Sequence, residues 1–301
     1  MKILFFGTPA FAAEFLKGLI AEPMFEVVGV VTQPDEPVGR KKVLTAPPVK
    51  LVAAEHDIPV FQPTKLKDPD FQNLLKETGA QIGVVVAYGR ILPESVLSLM
   101  HKGCINVHPS LLPKYRGPSP IIAAIANGDK ETADTIMQLV KEMDAGPILA
   151  QERLAVADDE TTDSLTHKIV DIGVPLLVDT LKRYAAGKIV AQEQDHTQAT
   201  FCKLLTREDG VIDWTQPAEA IERKIRAYNP WPGTSSNDLK IFSAQFNDQT
   251  LEPGVMATHD GKLLVGTGTT ALEILELQPA GGKRMRAQDY LRGHEIKPIQ
   301  A

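Results

Sequence analysis

The chain has 301 residues, of which 43% are apolar and 23% are charged, and its formal net charge is −6. This length favours two domains over one. The acidic balance argues against a protein whose whole surface is basic for nucleic-acid binding, although it leaves room for local cationic patches.

The chain has two cysteines, Cys104 and Cys202, and no C-x-x-C pair. This usage argues against a zinc or redox framework and is typical of reduced thiols in the cytosol. No apolar run reaches the length of a membrane span. The first residues, M-K-I-L-F-F-G-T-P, lack the long apolar region of a signal peptide. We therefore predict a cytoplasmic protein without membrane contact.

Strands and helices alternate in the first half of the chain. Val27–Val31 and Ile82–Ala87 are continuous apolar runs, as in strands covered on both faces. Such alternation predicts a parallel sheet between helices. The predicted strands are Lys2–Phe6, Val27–Val31, Val60–Phe61, Ile82–Ala87 and Cys104–His108, and the predicted helices lie at Phe11–Ile20, Pro48–His56, Phe71–Lys76 and Pro93–Met100.

A polar loop of residues 33–48 separates the second strand from its helix and carries Arg40, Lys41 and Lys42. Connections of this length are typically functional or mobile. A second basic cluster, Lys283–Arg286, lies near the end of the chain. Most charge runs are solvated surface, but three cations on a loop beside a strand-end site are well placed to hold phosphates.

The second half changes character after a long predicted helix at Thr161–Tyr184. We interpret residues 189–205 as a linker between a domain at 1–188 and a smaller domain at 206–301. One predicted helix, Pro217–Tyr228, precedes short β-rich runs that are typical of a small barrel or sandwich. These runs are Lys240–Phe246, Gly254–Thr258, Lys262–Val265 and Ala271–Gln278.

Common nucleotide and metal motifs are absent from the sequence. The first strand–helix turn, F-G-T-P-A-F, lacks G-x-G-x-x-G, and no G-x-x-x-x-G-K-[ST] occurs. None of the seven histidines forms H-x-x-x-H. We predict neither a nucleotide cofactor of the usual kinds nor a metal site.

Asn106 and His108 stand two residues apart at the end of an apolar strand, just before Pro109. Residues at this spacing face the same side, and open α/β sheets bind ligands beyond the carboxyl ends of their strands. An amide can stabilise a developing oxyanion, and an imidazole can move a proton near neutral pH. The pair suits acyl transfer, but the spacing fits equally well with two residues that cap a turn.

Two further segments complete the candidate site. Asp144 could orient His108, although a lone Asp before Ala-Gly is more simply a turn residue unless the two meet in space. Leu111 and Leu112 could line an apolar slot for a flat ring, or could equally belong to the core.

Two segments resemble the signature of enzymes that take a formyl group from 10-formyltetrahydrofolate, namely I-N-V-H-P-S-L-L-P-K-Y-R-G and M-D-A-G-P-I-L. Nearly the whole chain is similar to the methionyl-tRNA formyltransferase family. The further matching segments, in order, are F-G-T-P-A-F, T-Q-P-D-E-P-V-G-R-K-K, V-V-V-A-Y-G-R-I-L-P, I-D-W, I-R-A-Y-N-P-W-P-G and L-Q-P-A-G-G-K.

The resemblance implies a Rossmann-like parallel-sheet formyltransferase domain and a smaller C-terminal open β-barrel (OB-like) domain that binds tRNA. It implies a monomer that formylates the α-amine of methionine on initiator methionyl-tRNA, with 10-formyltetrahydrofolate as donor and no metal. The implied catalytic residues are Asn106, His108 and Asp144, the implied folate contacts are Ser110, Leu111, Leu112 and Pro113, and the implied tRNA contacts are Arg40, Lys41 and Lys42.

Two other functions are alternatives to this one. A formyltransferase acting on the amine of a sugar nucleotide would use the same three catalytic residues but would not need Arg40–Lys42. A non-catalytic RNA-binding module is a different class of function, and the net charge of −6 argues against it.

Overall fold

The computed structural model describes residues 1–39 and 41–294. The chain divides into two compact units, which do not follow a simple N-terminal and C-terminal division. The first unit comprises Met1–Pro120, Thr132–Leu154 and Thr166–Cys202, and the second comprises Ile121–Glu131, Ala155–Leu165 and the chain from Lys203 onward. The stretch interpreted as a linker therefore belongs mostly to the first unit.

The first unit is built on a mostly parallel sheet of seven strands in the order β5-β2-β1-β6-β7-β8-β9. Strands β5, β2, β1, β6 and β7 run parallel, and β8 pairs antiparallel with β7. This confirms the predicted fold class. The strands up to the end of this sheet are β1 Lys2–Gly7, β2 Glu26–Val31, β3 Glu36–Val38, β4 Val43–Thr45, β5 Val60–Phe61, β6 Ile82–Val86, β7 Cys104–His108, β8 Glu131–Gln138 and β9 Ile148–Ala155.

Helices accompany this sheet because their apolar positions recur at helical spacing. In Ala10–Ile20, for example, Phe15, Leu16 and Leu19 are completely buried against the sheet. The helices up to residue 185 are α1 Ala10–Ile20, α2 Pro48–Glu55, α3 Pro69–Glu77, α4 Glu94–Leu97, α5 Pro120–Asn127 and α6 Thr162–Ala185. No helix within residues 1–39 and 41–294 is both long and apolar enough to cross a membrane.

The register of the parallel strands brings their carboxyl ends to one edge of the sheet. Gly7 at the end of β1 lies opposite Val86 at the end of β6, and Val86 lies opposite Val107 in β7. Both faces are covered, so these strands are apolar throughout except at their ends. The polar pair of β7 is therefore presented at the edge where ligands bind in open α/β sheets.

The polar loop of residues 33–48 contains a small hairpin that sequence reasoning did not predict. Strands β3 and β4 pair antiparallel, with Val38 opposite Val43. Gly39 (φ +74°) and Lys42 (φ +48°) both take the left-handed conformation at the turn. Three apolar residues of the hairpin are exposed to solvent: Val38, Val43 and Leu44 are 57%, 59% and 67% exposed. Arg40 lies outside the described residues.

The second unit contains an antiparallel sheet in the order β10-β11-β14-β13-β12, with β15 paired to β14. Its core centres on Trp214, which is 1% exposed and donates from its indole N–H to Ser236 Oγ at 2.9 Å. The elements are α7 Ala218–Tyr228, β10 Thr234–Ser236, β11 Leu239–Asn247, β12 Met256–His259, β13 Lys262–Val265, β14 Ala271–Pro279, β15 Met285–Arg286 and α8 Ala287–Gly293.

Candidate active site

Asn106 and His108 lie on the same face of β7, as their spacing predicts, and both are buried. Asn106 is opposite Val85 of β6 and Met137 of β8. No residue in the described part of the chain forms a hydrogen bond with the Asn106 side-chain amide. Buried polar groups are normally paired, so this free amide is available to a bound molecule.

The imidazole of His108 is fixed from one side by backbone. Its Nε2 lies 2.9 Å from the carbonyl oxygen of Tyr115. A carbonyl oxygen only accepts, so Nε2 carries the proton in this contact. The neutral ring therefore has an unprotonated Nδ1, which faces the carboxylate of Asp144 with 3.7 Å between Nδ1 and Oδ2. This nitrogen is the atom of His108 that can accept a proton.

Asp144 reaches this position through a tight turn between β8 and β9. The residue has a φ of +50°, a left-handed conformation that Asp tolerates better than most residues. Its Oδ2 accepts a hydrogen bond of 2.7 Å from the backbone N–H of Gly117. The structure thus places Asp144 next to His108, which is the condition for Asp144 to be a site residue. The group that anchors the ring by a hydrogen bond is nevertheless the Tyr115 carbonyl.

Gly117 has a geometry that only glycine accommodates. Its φ is +114°, and a Cβ atom at this position would lie 2.3 Å from the carbonyl oxygen of Cys202. The Tyr115–Gly117 turn is further tied down because Arg116 N donates to Thr200 O at 2.9 Å and Cys202 N donates to Arg116 O at 2.8 Å. Residues 200–202 therefore support the loop that contacts both His108 and Asp144.

The segment that follows His108 has two faces. Ser110 is completely buried, and its hydroxyl donates to Lys114 O at 2.7 Å while its carbonyl accepts from Thr135 Oγ1 at 2.6 Å. Leu112 is also buried, and the Leu112–Pro113 peptide bond is cis. Only Leu111 and Pro113 of this segment present side-chain surface. A flat apolar ligand would therefore meet those two residues.

The family comparisons agree with this geometry. The formyl transferase family matches residues 1–181, and the formyl transferase C-terminal domain matches residues 204–295. A methionyl-tRNA formyltransferase of Roseiflexus sp. (strain RS-1) is 48% identical, over 97% of this chain and 92% of the relative. One from Herpetosiphon aurantiacus is 47% identical, over 97% of this chain and 98% of the relative.

The chain belongs to the methionyl-tRNA formyltransferase family.

Solved structures show that the fold of this formyltransferase is shared. The N-formyltransferase of Helicobacter canadensis, in complex with folinic acid and dTDP-3-aminofucose, gives a TM-score of 0.69 at 16% identity, over 95% of this chain and all of that one. HypX of Aquifex aeolicus, in complex with tetrahydrofolic acid, gives a TM-score of 0.64 at 17% identity, over all of this chain and 51% of that one.

An open groove of about 410 Å³ lies beyond the carboxyl ends of β5 and β6 in the formyltransferase. Its wall includes Lys65, Lys67 and Ile91, and Ile91 is 87% exposed. The guanidinium of Arg90 closes one side by donating to Pro63 O and Thr64 O, each at 2.8 Å. None of the three candidate catalytic residues lines this groove.

The two cationic clusters of the formyltransferase differ in their surroundings. Lys41 and Lys42 are exposed in the turn of the β3–β4 hairpin. In the second cluster, Arg284 is paired with Glu276 and lies 4.4 Å from the ring centroid of Phe242. Part of the charge of that cluster is therefore neutralised within the second unit. In residues 1–39 and 41–294, no three His, Cys, Asp or Glu side chains are grouped as metal ligands.

Proposed function

We propose that this formyltransferase transfers the formyl group of 10-formyltetrahydrofolate to the α-amine of methionine on initiator methionyl-tRNA, with Asn106, His108 and Asp144 as catalytic residues. The observation that supports the catalytic assignment is the free Asn106 amide on the same strand face as an imidazole whose Nδ1 faces a carboxylate at 3.7 Å. The names of the relatives support the substrate.

The folate supplies an activated formyl carbon, which the unprotonated methionine amine attacks. The Asn106 amide donates hydrogen bonds to the oxygen that gains negative charge, an interaction whose removal typically costs about 10²–10³ in rate. Nδ1 of His108 accepts the proton that the amine loses as its new C–N bond forms. The same nitrogen returns that proton to the departing folate nitrogen, a service worth roughly 10²–10⁴. Asp144 stabilises the imidazolium between the two steps.

Substrate binding is proposed at two places. Leu111 and Pro113 would contact the folate ring, while Ser110 and Leu112 hold the shape of the segment from within. Arg40, Lys41 and Lys42 would contact tRNA phosphates from the hairpin. Exposed Val38 and Leu44 leave this hairpin with apolar surface that a partner could cover. We further propose that the enzyme works as a cytoplasmic monomer with both thiols free.

The direct test is mass spectrometry of charged initiator tRNA after incubation with enzyme and 10-formyltetrahydrofolate. We expect the methionyl ester to gain one formyl group. A parallel incubation with a dTDP-amino sugar should leave that amine unmodified, and the opposite pair of outcomes would assign the enzyme to sugar nucleotides.

The catalytic assignment is tested with Asn106→Ala, which should slow turnover by about 10²–10³ while the fold survives. Asn73→Ala, on the exposed surface of α3, is the matched control and should match wild type. Near-normal turnover of folded Asn106→Ala would refute the role of the amide.

A further inference from the structure

We propose that Gln194 is a positioning residue that sets the place of the Asp144 carboxylate in the active site. This inference rests on the proposed catalytic role of Asp144. Gln194 lies in a polar stretch that the sequence marks only as a linker, yet it is 5% exposed. In the described part of the chain it forms no hydrogen bond with His108 or Asn106, so its effect on the reaction passes through other groups.

The side-chain amide of Gln194 is fully engaged. Its Nε2 donates to the carbonyl oxygens of Asp144, at 2.9 Å, and Gly146, at 2.8 Å. Its Oε1 accepts from Arg116 Nη2 at 2.7 Å and from Arg116 Nε at 3.2 Å. Because the guanidinium only donates and the carbonyls only accept, the orientation of the amide is unambiguous.

These bonds join the two loops that define the candidate site. Arg116 stands between Tyr115, whose carbonyl holds His108, and Gly117, whose N–H holds the Asp144 carboxylate. The loop around Arg116 is already secured by backbone bonds to Thr200 and Cys202. Through its hydrogen bonds, Gln194 connects this fixed loop to the 144–146 turn.

The 144–146 turn needs these hydrogen bonds because its own internal hydrogen bonding is weak. Asp144 adopts a left-handed φ of +50°, which costs energy in any residue with a Cβ. The backbone hydrogen bond from Ala145 N to Glu142 O, within the turn, is long at 3.4 Å. Without the two bonds from Gln194, we expect the turn to relax and the carboxylate to move relative to His108.

The main test is Gln194→Met, which keeps the length of the side chain but removes both donors and the acceptor. A displacement of about 1 Å at a catalytic group can cost on the order of 10²-fold in rate. We expect kcat to fall about 10- to 100-fold, while KM for 10-formyltetrahydrofolate and for methionyl-tRNA stays within about threefold, because the substrate contacts are untouched. Gln198→Met is the matched control, since Gln198 is exposed on the same segment and, among the described residues, its side chain bonds only to Asp195.

A second variant, Gln194→Glu, keeps a partner for Arg116 and protects the fold. Its carboxylate cannot donate to the two carbonyls and repels them, so kcat should fall at least as far as in Gln194→Met. If Gln194→Met does not fold, this variant alone decides: normal kcat in folded Gln194→Glu overturns the proposal.

A double-mutant cycle separates positioning from general stabilisation. If Gln194 acts through the carboxylate, Asp144→Ala and Asp144→Ala/Gln194→Met should be equally slow. If the kcat losses of the two single variants instead multiply in the double variant, Gln194 does not act through Asp144 and the inference is overturned. Full activity of Asp144→Ala on methionyl-tRNA would also overturn it while leaving the proposed substrate intact. Failure of the wild-type enzyme to formylate methionyl-tRNA would instead refute the proposed function.

Discussion

The Nε2 atom of His108 lies 2.9 Å from the carbonyl oxygen of Tyr115, so backbone decides which ring nitrogen carries the proton. The unprotonated Nδ1 thereby faces Asp144, with 3.7 Å between Nδ1 and Oδ2. A histidine held in this way needs no reorientation before it accepts a proton. In the proposed mechanism, Asp144 acts on the charge of the ring more than on its orientation.

This relationship predicts different outcomes for two substitutions of His108. In His108→Gln, the amide can still donate to Tyr115 O, whereas His108→Ala loses that bond. Neither side chain moves a proton, so both variants should lose about 10²–10⁴ in kcat. Thermal unfolding should show that His108→Ala is the less stable of the two. Equal melting temperatures would indicate that the Tyr115 contact contributes nothing to stability.

Gly117→Ala should damage both the fold and the site. The new Cβ would lie 2.3 Å from the Cys202 carbonyl and would displace the N–H that holds Asp144. Gly79→Ala is the control, because Gly79 also has a positive φ (+63°) but open space around its Cβ position. We expect Gly79→Ala to cost about 1–2 kcal/mol in the free energy of unfolding with normal turnover. Gly117→Ala should cost more and should also slow turnover.

Stability should fall as the pH rises from about 4 to about 8 because of Asp134 in β8. Neither carboxyl oxygen makes a hydrogen bond, and burial raises the pKa of Asp134 from 3.8 to about 8, an effect that the nearby Thr135 N–H only partly opposes. The folded state therefore holds a proton that the unfolded state releases. This contribution to stability is complete below pH 3.8 and is lost as the pH rises through about 8.

The slope due to Asp134 should approach about 1.4 kcal/mol per pH unit in that window. Asp134→Asn removes the titration and should flatten the pH dependence of the free energy of unfolding, measured by urea titration. Asp171→Asn, on the exposed surface of α6, should leave the slope unchanged. A wild-type slope in Asp134→Asn would mean that the carboxyl is not buried as described.

The hairpin cations should govern the salt dependence of tRNA binding. Each lysine–phosphate contact adds about one unit to the slope of log affinity against log salt. The double substitution Lys41→Glu/Lys42→Glu should therefore weaken binding and reduce the slope by roughly two. Lys76→Glu, an exposed charge reversal on α3, is the control. An unchanged slope in the double variant would remove this hairpin from the tRNA contacts and would favour a small amine substrate.

Local pattern was sufficient to predict much of the fold. The observed bounds of β7 and β13 match the predicted Cys104–His108 and Lys262–Val265, because short apolar runs bounded by turn residues define both ends of a strand. The β3–β4 hairpin was missed because its strands are short and exposed. Helix α4 spans only Glu94–Leu97 of the predicted Pro93–Met100.

The candidate site was only partly predictable for a different reason. Asn106, His108 and Asp144 carry chemistry that residue type alone suggests. The groups that form hydrogen bonds with His108 and Asp144 are backbone atoms of Tyr115 and Gly117 and a glutamine far along the chain. Every residue type has the same backbone groups, so the sequence does not show which backbone atoms will bind a site residue. A glutamine in a polar stretch looks like any solvent-exposed residue. Only the folded chain shows that Gln194 is buried.

The dependence of the Asp144 turn on a residue 50 positions later has a consequence for biosynthesis. A nascent chain that has emerged only to the end of α6 already carries the three proposed catalytic residues but lacks Gln194, Thr200 and Cys202. Fragments that stop at residue 188 should therefore be inert even when they fold, and should gain activity once they extend past Cys202 if the second unit is not needed for turnover. The first unit would then become active late in translation, once the segment that ends at Cys202 has left the ribosome.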